Sequence, residues 1–168
     1  MLKKFAIILL LTLPLSAFAQ DLKFGHIDRT ELLKIMPEAI EAQKKLESLV
    51  LEYRMKSAAL EEELQKGFKE FQENQASLPA AVRADKEAAL NQLYERIQAF
   101  GATAQEDLQK TQMELMAPIE NKINNAIEAI GKEEGFMYVF DVQAQAILYF
   151  SPKSIDVLPL VKKKLNLK

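Results

Sequence analysis

His26 is the only histidine in the 168 residues, and there is no cysteine. A lone imidazole with no second histidine and no thiolate beside it is a poor basis for a transition-metal site. Asp28 and Asp141 each close an apolar run that reads as a strand, residues 23–27 and 136–140. Two carboxylates can share general acid–base work only when one pocket holds them and shifts their proton affinities, and nothing else in the sequence converges on this pair. Turn and cap duty accounts for both aspartates more simply. No glycine-rich phosphate loop, nucleophile elbow or metal-ligand spacing occurs. The residues that could do chemistry therefore point away from an enzyme, with no cofactor and no metal implied.

The elements that carry these residues are dominated by helix. Apolar or small residues recur at Leu46, Val50, Tyr53, Ser57, Leu60, Leu64 and Phe71. They resume at Leu90, Leu93, Ile97, Phe100, Ala104, Leu108, Thr111, Leu115, Ile119, Ile123, Ala126 and Ile130. Steps of three and four lay one apolar stripe along each of two helices. Between them lies Ser77-Leu78-Pro79. Proline lacks an amide proton and restrains its predecessor to extended geometry, so it suits a helix start. The pattern predicts an antiparallel, coiled-coil-like hairpin over 37–134 with its turn near 77–79. At about 1.5 Å per residue the arms would be roughly 60 and 75 Å long. Pro118 predicts a bend near 113–116, and Gly135 is placed to cap the second arm.

Residues 1–19 read as a signal peptide. Lys3 and Lys4 make a positive start, 5–13 an apolar core too short to span a bilayer, and Ala17-Phe18-Ala19 a small-x-small cleavage site. Cleavage is expected after Ala19, giving an exported product with no lipobox cysteine. The formal net charge is −2, and losing Lys3 and Lys4 makes the remainder more acidic. That balance argues against a nucleic-acid partner, which needs a basic face.

The remaining pieces, 20–36 and 135–168, form the expected β-rich body. A helical turn bearing Leu32, Leu33, Ile35 and Met36 follows the first strand. Runs 136–140 and 146–150 are apolar at nearly every position and predict a hairpin covered on both faces. Pro159 opens a last helix to about Leu165, with Leu160, Val161 and Leu165 as its inner side. A body of about fifty residues is marginal alone. It must share its sheet, so an obligate oligomer is expected, held through Phe24, Ile27, Val139, Phe140, Ile147 and Tyr149, with the arms projecting. The fold class is α+β, mostly α.

On the arms, Phe68, Phe71 and Phe100 either knit the two helices together or join Met55 and Met113 as adaptable contacts for unfolded chains. Leu78 and Val82 give the tip an apolar character that a solvated turn does not need. Three roles fit: a chaperone that holds unfolded chains, a coiled-coil spacer of the cell envelope, or an adaptor gripping one folded partner with its tip.

In organisation and local signatures the chain resembles the Skp/OmpH family of periplasmic chaperones. The matching residues are Lys23-Phe24-Gly25-His26-Ile27-Asp28, Pro37-Glu38-Ala39, Pro118-Ile119, Gly135-Phe136-Met137-Tyr138-Val139-Phe140-Asp141, Ile147-Leu148-Tyr149 and Ser154-Ile155-Asp156-Val157. They keep this order over essentially the whole chain after the leader. The resemblance implies a homotrimer whose strands build a small β-barrel. Its three helical arms would enclose a cavity, and unfolded outer-membrane or envelope proteins would be held there, in the periplasm and without nucleotide. Familiar enterobacterial members are strongly basic, so the acidic balance here puts in doubt any membrane-surface contact that depends on positive charge. Leu158 stands where the family often has a capping threonine.

Overall fold

The computed structural model describes residues 22–144 and 147–167. The signal peptide expected at 1–19, its cleavage point after Ala19, and Ala146 lie outside them. The described chain is mostly helical and α+β. Its elements are β1 (Phe24–Ile27), α1 (Arg29–Ile35), α2 (Pro37–Asn74), α3 (Ala80–Glu134), β2 (Tyr138–Asp141), β3 (Ile155–Asp156) and α4 (Leu158–Lys164). Two compact units divide it: residues 30–125, and the chain up to Arg29 together with Ala126–Asn166.

In the first unit, Pro37 opens α2 behind Met36, whose φ of −74° and ψ of 121° are the extended geometry that a following proline imposes. The chain turns at 75–79. Gln75 N–H donates to the Phe71 carbonyl at 2.8 Å, and both the amide and hydroxyl of Ser77 donate to Asn74 O. Contacts join early α2 to late α3 and late α2 to early α3. Lys122 pairs with Glu38, Tyr53 with Asp107, and Gly67 with Leu90. That order is antiparallel. Gly67 permits the close approach, since a Cβ there would stand 2.8 Å from Leu90 Cδ2. The two stripes lie in the seam, with Leu60, Leu90 and Ala104 buried and Val50, Tyr53, Leu64, Ile97 and Leu108 half-buried. Deeper burial is reached at Leu32, Met36, Ile119 and Ile123. Pro118 does not interrupt α3.

The second unit holds the sheet, ordered β2-β1-β3 with both pairings parallel. Phe24 faces Tyr138 and His26 faces Phe140 on one side of the central strand, while His26 is also in register with Asp156 of β3. This corrects the sequence expectation of a hairpin between 136–140 and 146–150. Residues 147–150 form no strand, and Ile155–Asp156 takes the third place. The cause is local. Asp141 accepts the Gln143 amide on its side chain and the Ala144 amide on its carbonyl, and Ile147 N–H donates to Ala144 O. The tight turn begun at Asp141 ends β2 and carries the chain away from the ladder that a hairpin needs.

One face of the sheet is closed. Ile27, Val157 and Val161 are buried, as are Ala126 and Ile130 of α3. Gly25 makes this closure possible, because a Cβ would meet Val157 Cγ1 at 2.9 Å and the Phe136 ring at 3.1 Å. α3 ends as expected at Gly135, whose φ is +71°, with Phe136 N–H returning to Gly131 O at 2.9 Å. At the start of α4, Asp156 Oδ1 accepts the Leu158 amide at 2.9 Å, and no side chain caps the helix from the N-cap position. The opposite face, expected to be covered, is bare in the single chain: Phe24, Tyr138 and Phe140 are exposed.

Gly25→Ala should overpack this closed face. We expect a loss of about 1–3 kcal/mol in denaturant unfolding of the strand-containing unit; an unchanged midpoint would contradict the packing described.

Candidate functional site

The residues with chemical potential are engaged structurally. His26 Nδ1 lies 2.9 Å from Ser154 Oγ, and its ring stacks on Phe150 with centroids 4.3 Å apart. Asp28 and Asp141 do come together, through Gln143: its side-chain amide donates to Asp28 at 2.7 Å and its backbone N–H to Asp141 at 3.0 Å. Both carboxylates thereby hold a turn. Among the described residues no three His, Asp or Glu side chains are grouped as metal ligands.

What stands out instead is apolar surface. In the sheet unit, a groove of about 1100 Å³ runs over the bare face, lined by Phe24, His26, Phe140, Ile147, Tyr149 and Phe150 among others. Leu148 is 97 % exposed and Tyr149 77 %. Of the six residues expected to hold an oligomer together, Phe24, Phe140 and Tyr149 lie exposed, while Val139 and Ile147 are half-buried. Ile27 is 1 % exposed and belongs to the chain's own core. Sequence reasoning did not single out Tyr138, Leu148 or Phe150 for this surface. Their signal was an aromatic density that one thin sheet cannot bury.

In the helical unit the candidates separate by their place relative to the stripe. Phe100 sits in the seam, its ring edge-on to Tyr53 at 5.8 Å with Lys56 Nζ 5.2 Å above it. Phe71 and Leu78 are half-buried. Met55 and Met113 are 65 % and 67 % exposed, and Phe68 and Val82 are also exposed. Leu51, one turn before Met55 on α2, is exposed too and was not anticipated. Its position off the stripe, at the i, i+4 spacing from Met55, was the available signal.

Charges along these helices are paired at the surface. The Lys122 ammonium, hydrogen-bonded to Glu38, holds that carboxyl below its ordinary value, and Lys132 does the same to Glu128. Tyr53 donates its hydroxyl proton to Asp107, and this hydrogen bond, with that carboxylate's charge, raises the phenol above its ordinary 10.0.

Long paired helices with a small three-stranded parallel sheet define the class. A solved structure from Caulobacter crescentus CB15, described as an outer membrane chaperone (OmpH-like), shares the fold. Its TM-score is 0.73 over 86 % of this chain and 84 % of its own, at 12 % identity. Residues 23–165 match the outer membrane protein (OmpH-like) family, and the chain belongs to that family. The chaperone protein Skp of Yersinia enterocolitica is 26 % identical over 158 residues, spanning 90 % of this chain and 93 % of that relative.

Tyr53 offers a check on the seam. A raised phenol contributes its stability in full below pH 10.0 and loses it as the pH climbs through the raised value. Thermal melts should therefore show Tyr53→Phe less stable than wild type at pH 8, with the difference shrinking at alkaline pH. A constant difference would dismiss the hydrogen bond as its origin.

Proposed function

We propose that this protein is a periplasmic holdase, which binds unfolded outer-membrane or envelope proteins and keeps them from aggregating without ATP. The observation that carries the reading is the exposed apolar set on otherwise charged helices: Leu51, Met55, Phe68 and Met113. Thioether and aliphatic side chains adapt to many partners, and mixed charge keeps their contacts weak and exchangeable. An unfolded β-barrel precursor presents apolar strands with unpaired edges, the surfaces that aggregate. A cavity walled by helices would separate such chains from one another by physical enclosure, with no covalent step. Kinship with a chaperone named Skp supports this reading, and the signal-peptide pattern read from the sequence at 1–19 supports the compartment.

The working unit in this proposal is a homotrimer. The body, 20–36 with 135–168, would be completed by two further copies, and 37–134 would form the arm. Support comes from the bare face of Phe24, Tyr138 and Phe140, from the exposed Leu148-Tyr149-Phe150, and from the outer edges of β2 and β3, which carry no second neighbour among the described strands. A sheet closed with other copies turns such a face inward and removes its edges.

At equal subunit ratio, the mature chain should abolish light scattering when a urea-unfolded outer-membrane β-barrel protein is diluted into buffer; scattering as strong as without it would end the proposal. Sedimentation equilibrium should give three times the mature mass at micromolar concentration. Phe140→Asp should give a single-chain mass with helical circular dichroism retained, since a charge would then sit in the enclosed face; a wild-type monomer would refute the trimer.

A further inference from the structure

We propose that Met55 and Met113 are reversible oxidation sites, where hydroperoxides turn the thioethers into sulfoxides and weaken the grip on unfolded chains. The sites stand on exposure and sulfur chemistry; their effect on holding rests on the holdase reading above.

The chain has no cysteine, so methionine supplies all of its sulfur. The described methionines sit in sharply different environments. Met36, just before α2, is 0 % exposed, and Met116 is half-buried. Met55 and Met113 are the most open, at 65 % and 67 %, followed by Met137 of the sheet unit at 53 %. Helical spacing explains the first pair. Met55 lies two positions from the stripe residues Tyr53 and Ser57, and Met113 two positions from Thr111 and Leu115. Two steps of about 100° turn each side chain to the side of its helix away from the seam. A dissolved peroxide therefore reaches both sulfurs without any opening of the hairpin.

The step is direct. A sulfur lone pair attacks one peroxide oxygen, the S–O bond forms as the O–O bond breaks, and the departing hydroxide takes the remaining proton and leaves as water. Sulfur is oxidised to the sulfoxide and the peroxide is reduced to water. A flexible apolar side chain has become polar and chiral. Against the apolar side chains of an unfolded client, the new oxygen must shed water and finds no donor in exchange, so the contact is penalised.

The fold is spared the same penalty. Neither Met55 nor Met113 packs in the seam, so the sulfoxide oxygen stays in solvent when no client is held. At Met36 that oxygen would enter the core beside Leu32. Reductases specific for each sulfoxide epimer return the thioether. The consequence is a holder whose grip falls under oxidants while its helices remain folded.

The test treats the mature protein with graded hydrogen peroxide and follows each methionine by peptide mass spectrometry. Met55 and Met113 should gain oxygen at least about tenfold faster than Met36; equal rates overturn the sites. Holding is read as the protein concentration that halves scattering by a diluted, urea-unfolded outer-membrane β-barrel protein. Oxidation at both positions should raise that concentration at least about fivefold, and the two epimer-specific reductases should restore it. The pair Met55→Leu and Met113→Leu, compared with itself before and after peroxide, should move less than about twofold. The pair Met55→Gln and Met113→Gln should hold as weakly as oxidised wild type with no peroxide added, and it carries the comparison should the leucine pair fail to fold. Oxidised wild type that holds as before overturns this inference alone, as does a leucine pair that weakens as far as wild type or a glutamine pair that holds like untreated wild type. Helical circular dichroism lost on oxidation overturns it too, since the weakening would then be unfolding. Untreated wild type that leaves scattering unchanged overturns the holdase reading, and the effect on holding with it.

Discussion

The central strand imposes the governing constraint. β1 has both edges hydrogen-bonded, to β2 and β3, and one face closed over Ile27. That closure depends on Gly25, because Val157 and Phe136 already occupy the space a side chain would take. Among the described residues no further element covers the other face, and aromatic residues gather there in solvent. Everything notable about this unit, from the groove to the environment of His26, descends from having one layer of cover for a two-faced sheet.

The helical unit is governed by the same shortage. Two helices alone bury a stripe, not a core, and most seam residues are only half-buried. Surface ion pairs such as Lys122–Glu38 add little to such a seam. The pairing of Gly67 with Leu90 and the Tyr53–Asp107 hydrogen bond fix how the helices meet. The outward faces are consequently spared from packing duty and can carry Leu51, Met55 and Met113 at no structural loss.

The helices were legible in the sequence because their signals are local. Pro37 and Pro79 mark two starts, Gly135 marks an end, and the stripe residues fall in the seam. Position relative to that stripe also sorted the candidate contacts: Phe100 packs inward while Met55, Phe68 and Met113 face out. The sheet was less legible. The run at 146–150 has the composition of a strand, but that composition describes a side-chain surface seeking cover as much as a backbone conformation. Ile155–Asp156 is too short to announce itself, and its parallel pairing to β1 is decided by residues far away in the chain. The meeting of His26 with Ser154 and Phe150 depends on that pairing and had no sequence signal of its own.

Parallel pairing of β1 with β2 also bears on how the chain reaches its fold. β1 is synthesised before its partner, and the contact of Lys23 with Glu134 closes a separation of 111 positions. Closing so long a flexible loop is entropically slow, whereas two helices joined by a tight turn can zip from that turn through neighbouring contacts. The zipped helices then shorten the search that β1 must make. Until they do, the N-terminal strand remains an unpaired edge, and for that interval the chain carries the same hazard as the unfolded strands it is proposed to hold.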